Sequence, residues 1–138
     1  MHPILRGVLA VVAGFAVASA VMMAVEMING HVLYPDLGRQ AQGVTDPQIM
    51  RELLAGAPAG AFGVVLTGWF LGSFTGGWVA ARIGNLTHVL ILGGLLTLSG
   101  IANNLMLPPP AWFWVAGMLT LMPAALAGAK LARTRVAG

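Results

Sequence analysis

Four side chains hold most of the chemistry available to this chain: Glu26, Asn29, His31 and Asn104. A carboxylate inside an apolar run is costly in a membrane and marks a candidate functional site. Glu26 and Asn29 are spaced to stand one helical turn apart, and His31 and Tyr34 follow at the end of the same run. Asn104 closes a later apolar run at a similar expected depth. Together they make a candidate intramembrane polar cluster, suited to exchanging hydrogen bonds and protons. Within it, a hydrogen bond from Asn104 could hold Glu26. The plainer alternative is that Glu26, close to a helix end, reaches the lipid headgroups.

Bond-breaking chemistry finds no such support. The chain contains no H-E-x-x-H, no G-x-S-x-G and no phosphate-cradling glycine loop before a lysine. No second carboxylate stands in the membrane to pair with Glu26. No catalytic residue is therefore assigned, and the expectation is a protein that is not an enzyme. Zero cysteines exclude disulfides, thiolate metal sites and haem attachment through cysteine. A lone His31 does not make a metal site. Met23 with Met27, and Met118 with Met122, are thioether pairs of a kind that can hold Cu(I), but methionine is more often a flexible packing residue. No metal and no cofactor are expected.

The elements that must position these residues follow from composition. Of 138 residues, 58% are hydrophobic, 19 are glycine and 8% are charged, against about 25% charged in an ordinary soluble domain. So few charges cannot cover a water-soluble fold, and so apolar a chain is not disordered. The reading is a single membrane domain over 1–138. The net charge of +3 comes from 7 Lys+Arg against 4 Asp+Glu. These cations sit singly at the ends of apolar runs, which points to the lipid bilayer as partner and not to nucleic acid.

Three stretches carry no charge: 7–25, 53–81 and 83–129. The last is too long for one span of about 20 residues, and Pro108, Pro109 and Pro110 break it, because proline lacks the helical donor and clashes with the preceding turn. The prediction is an all-α, antiparallel bundle of four transmembrane helices, roughly 5–29, 58–82, 86–107 and 111–132. Continuous apolar runs favour helices over barrel strands, which would alternate. Ala18-Ser19-Ala20 resembles a signal-peptide cleavage site, but the apolar run continues beyond it to full span length.

With both termini cytoplasmic, the inside holds Arg6, Arg82, Lys130, Arg133 and Arg135, and the outside only Arg39 and Arg51. That asymmetry sets the expected orientation in a cell inner membrane. Trp112, Trp114 and Tyr34 then mark the outer interface and Trp78 the inner one. In the outer loop, 30–57, Tyr34-Pro35-Asp36 is expected to be extended. Asp46 and Pro47 read as the cap and first position of a short amphipathic helix, with Ile49, Met50, Leu53 and Leu54 on one face.

Small residues recur by fours in the second helix: Gly56, Gly60, Gly68, Gly72, Gly76 and Ala80, a glycine zipper. Lipid tails are as apolar as leucine, so membrane helices associate where small residues let backbones approach. Ala10, Gly14 and Ala18 form a matching stripe on the first helix, and Gly93, Thr97, Gly100 and Asn104 fall together on the third. The preferred reading is packing within one bundle. The other is a seam for a second copy or another membrane protein, for which Ser73 and Gly77 offer a further face. Pro123 is expected to kink the fourth helix, with Thr120 satisfying a freed carbonyl.

Several residues carry a resemblance: Glu26, His31 and Tyr34-Pro35; Gly76-Gly77 and Ala80-Ala81-Arg82; Asn104-Leu105 leading to Pro110-Ala111-Trp112-Phe113-Trp114. In these the chain resembles small bacterial four-span integral membrane proteins of uncharacterised function. The resemblance implies a helical inner-membrane protein and supplies no activity. The first functional expectation is a non-enzymatic subunit or scaffold acting through intramembrane helix packing. The alternative is a small carrier or channel, proton-linked through Glu26.

Overall fold

The computed structural model describes residues 2–137, with side chains to 133. Gly138 and the side chain of Arg135, both placed inside by the charge reading, lie outside the described residues. Among the described residues the chain is all-α. Four helices are long and apolar enough to cross a membrane. They are α1 (Pro3–Ile28, continued by a π-helical turn, Asn29–Leu33), α4 (Ala59–Ile83), α5 (Leu86–Met106) and α6 (Ala111–Ala137). Two short helices, α2 (Pro35–Ala41) and α3 (Pro47–Ala55), join α1 to α4.

The long helices run up and down. The start of α1 meets the α4–α5 turn, where the Arg6 guanidinium donates to the Ile83 carbonyl. At the other end the Asn29 amide reaches the start of α4. One end of the bundle thus gathers the first turn of α1, the α4–α5 turn and the last turns of α6. We call it the terminal end. The other, carrying α2 and α3, is the loop end. Helix α4 touches all three other long helices.

Local chemistry starts several of the helices. The Asp46 side chain accepts from the Gln48 N–H at 2.8 Å, with Pro47 in the first turn of α3. Asn85 caps α5 by accepting from the Thr87 N–H at 3.0 Å, while the Asn85 N–H donates to His88 Nδ1 at 3.1 Å. Each cap satisfies backbone donors that have no partner within the helix.

Packing is closest along α4. A Cβ added at Gly76 would lie 2.6 Å from the Gly14 carbonyl oxygen, and one at Gly72 would lie 2.7 Å from that of Ala18. Real Cβ atoms essentially never come within 3.0 Å of a neighbour, so only glycine permits this α1–α4 distance. The opposite face of α4 uses Gly77 against the Ala125 backbone, and Gly128 of α6 meets the Phe74 backbone. Ser73 and Gly77, read as a second contact face, are both buried in the bundle. Gly68 lies against Val25, Gly93 against the Met122 thioether and Gly100 against Leu121.

Several sequence expectations need correction. The first long helix does not end near residue 29. A Tyr34 N–H bond to the Asn29 carbonyl, at 2.8 Å, closes a wider turn and carries helical structure to Leu33. Tyr34 does leave the helical region, at φ −133° and ψ 61°, as a residue before proline should. Pro35 and Asp36 are not extended, because proline's fixed φ suits a first helical turn and α2 begins there. The loop 30–57 is therefore largely helical. Gly56 does not belong to the α4 stripe, since it caps α3 and α4 begins at Ala59. Ile49 points out, 53% exposed, while Met50 is buried. The described part of α6 runs beyond 132, to Ala137. Thr120 donates to the Ala116 carbonyl at 2.6 Å, a back-bond one turn earlier than the carbonyl Pro123 leaves without its helical donor.

Candidate functional site

The loop end of the bundle holds a half-open cavity of about 200 Å³. Its builders are local. The π-helical turn lets α2 fold back on the end of α1, and Gly38 comes so close to the Gly30 carbonyl that no Cβ fits between them. Asn29 pins the turn to α4 by donating from Nδ2 to the Ala61 carbonyl at 3.2 Å. Gly60 leaves room for the Tyr34 hydroxyl, so this glycine serves the loop and not a helix seam. Phe62 and Phe113 form an aromatic wall with ring centroids 5.6 Å apart, and Trp69 and Trp112 back it at 5.2 Å and 6.1 Å from Phe113.

Three of the four polar candidates line this cavity: Glu26, Asn29 and Asn104. Asn104 is 1% exposed, and neither its Nδ2 nor its Oδ1 has a hydrogen-bond partner. Asn29 Oδ1 is likewise buried without a partner. An unpartnered buried polar group costs about 1–3 kcal/mol, so the cavity wall holds three hydrogen-bonding atoms at a cost to stability. Glu26 is exposed at the edge. It lines both the cavity and a neighbouring groove of about 460 Å³, which His31 and Arg39 also line. The hydrogen bond from Asn104 to Glu26 is not formed.

His31 stands apart from the cavity, with its Nδ1 3.0 Å from the Met27 carbonyl. Its ring bonds back onto its own helix, and the wider π-helical turn carries it outside. Asn103 lines the cavity although helical spacing points it away from Asn104. Met23 and Met27 are 64% and 58% exposed on α1, whereas Met118 and Met122 pack against the α5 glycines. The four thioethers do not converge. Among the described residues no three His, Asp or Glu side chains are grouped to hold a metal ion.

No family model, curated protein or solved structure matches the chain. The functional reading rests on the geometry alone. A small half-open volume lined by one carboxylate, three amides and an aromatic wall offers hydrogen-bonding groups and shape to a small solute. Sequence reasoning did not find the wall. Phe62 and Phe113 lie on different helices, and no spacing rule brings them to the same cavity as Asn104.

Proposed function

We propose that this multi-pass protein binds a small polar solute in the loop-end cavity, as a binding protein or carrier of a bacterial inner membrane. The observation that carries the reading is Asn104, buried with both amide atoms unpartnered beside open volume. Most buried side-chain polar atoms in folded proteins have a partner, so a large amide with neither atom bonded, next to open volume, supports a binding role. Proton coupling would run through Glu26, the one carboxylate of the cavity wall among the described residues, with His31 and Arg39 in the adjoining groove.

Orientation with both termini cytoplasmic is supported by the lysine and arginine distribution and by the Arg82 guanidinium, 5.2 Å from the Trp78 ring centre at the terminal end. Reporter fusions after Asp46 should read outside and fusions after Asn85 inside; the reverse pattern overturns it. Binding is tested by thermal unfolding in detergent across a solute panel. A ligand at ten times its Kd stabilises by about 1.4 kcal/mol, and Asn104→Leu should fold yet lose that shift.

The subunit reading keeps one specific support. Gly63 and Gly94 face open space, with nothing within 4 Å of an added Cβ, so a further helix could approach there. A foreign subunit in stoichiometric amount after mild-detergent isolation, with no solute shift, would favour it.

A further inference from the structure

We infer that the groove between α1 and α2 is a site for a soft monovalent metal ion, Cu(I) or Ag(I), held by Met23, Met27 and the Nε2 of His31. The site lies outside the loop-end cavity and stands independently of the solute reading. All three side chains line one groove of about 460 Å³. They follow one another at intervals of four along α1 and its π-helical continuation, a spacing that sets them on successive turns of one helix face. Met23 and Met27 are 64% and 58% exposed, and His31 is exposed as well, so all three are open to an ion entering the groove. Helix α2 supplies the facing wall, so these thioethers do not simply look out on lipid.

The histidine is already arranged as a ligand. Its Nδ1 lies 3.0 Å from the Met27 carbonyl oxygen. A carbonyl only accepts, so Nδ1 carries the proton, and in the neutral ring Nε2 keeps the lone pair. Metal-bound imidazoles are held in this way, with the other ring nitrogen donating to a backbone carbonyl. The same bond leans the ring back over the turn of Met27, toward the thioethers. Four residues rise about 6 Å along a helix, and a thioether on a flexible, unbranched chain can close on an ion between turns. From sequence His31 counted as a lone imidazole; its bond to Met27 is what joins it to the methionines.

Ligand softness selects the metal. Thioethers suit Cu(I), and imidazole suits copper as well; Ag(I) shares that softness and charge. Among the described residues no three His, Asp or Glu side chains are grouped for a harder ion. Glu26 lines the groove and supplies a countercharge, whereas Arg39 is paired with Asp36 and Gln42 is neutral. The other methionines differ. Met118 and Met122 pack against Gly100 and Gly93, and Met106, 73% exposed, does not line the groove.

The test is titration of the full chain in detergent with Ag(I) in chloride-free buffer, and with Cu(I) against a chromogenic chelator without oxygen. Ag(I) should bind saturably in a single equivalent, and Zn(II) at least about tenfold more weakly. Met23→Leu, Met27→Leu and His31→Gln should each weaken Ag(I) by about tenfold or more, while Met106→Leu leaves it unchanged. Leucine is a volume-conserving replacement for methionine, so elution profile and unfolding temperature should not move in the leucine variants. In methionine-methyl NMR spectra, Ag(I) should shift Met23 and Met27 and spare Met106. Equal shifts at Met106, or an Ag(I) affinity indifferent to the Met23, Met27 and His31 changes, would mean thioether chemistry without a site and would overturn the inference. Tighter binding of Zn(II), or no uptake of Ag(I) and Cu(I), would overturn it too. None of these results bears on the cavity, whose own test is the solute panel.

Discussion

The two halves of this bundle solve opposite problems with similar residues. Toward the terminal end, Gly14, Gly76, Gly77 and Gly128 bring backbones together until no side chain fits between them. At the loop end, Gly30 and Gly38 bring backbones together just as closely, but the fold-back they permit covers empty volume. Two unpartnered buried groups sharpen the contrast. Ser73, wholly buried, lies in the stretch of α4 that is tightly packed on two faces. Asn104, equally buried, stands beside a cavity. The first is a small polar residue tolerated for its size. The second keeps two unpartnered hydrogen-bonding atoms in a side chain that lines the cavity.

The largest expected effect lies at one of the closest backbone contacts. Gly77→Leu should lower stability in detergent by about 1–3 kcal/mol, as overpacking does, because the Ala125 backbone cannot yield as a flexible side chain would. A loss no greater than that of Gly63→Leu, which enters open space, would show that the seam is not what holds the bundle. Next, Asn104→Leu should raise stability by about 1 kcal/mol, since it removes an unsatisfied amide of similar volume. A loss of that size would mean Asn104 has a structural partner and the two ends are alike.

Asn29→Ala should cost about 0.6 kcal/mol, the usual worth of a hydrogen bond between membrane helices. It should also speed amide exchange through Asn29–Leu33 and α2, where the tether to Ala61 is lost. Unchanged exchange there would show that α2 is held by the glycine contact alone. Smallest of all, Gly63→Leu should stay within about 0.5 kcal/mol of the parent, as surface changes do. A larger loss would point to a partner helix seated on that face.

Much of this was legible from residues acting locally. Charge-free runs and Pro108–Pro110 delimit four helices, and Asp46 with Pro47 starts α3, because spans and caps depend on neighbours in sequence. Helical spacing also turned Asn104 inward. The π-helical turn was not legible, since nothing in Asn29–Leu33 announces a bond to the fifth residue instead of the fourth. That one turn moved His31 out of the cluster, and with α2 it built the cavity roof. Gly60 looked like another member of the α4 stripe until Tyr34 was in place. Whether Asn104 found a partner depended on tertiary structure and was beyond any pattern in the chain.

The central claim is that Asn104 faces a ligand-sized space and not a missing packing partner. A high-resolution structure of the protein in lipid, with a solute that raises its unfolding temperature present, tests it most directly. The account predicts density in the cavity within hydrogen-bonding distance of Asn104 and Asn29, bounded by Phe62 and Phe113. A collapsed cavity, with the Asn104 amide bonded to Glu26 or to a backbone carbonyl, would contradict it.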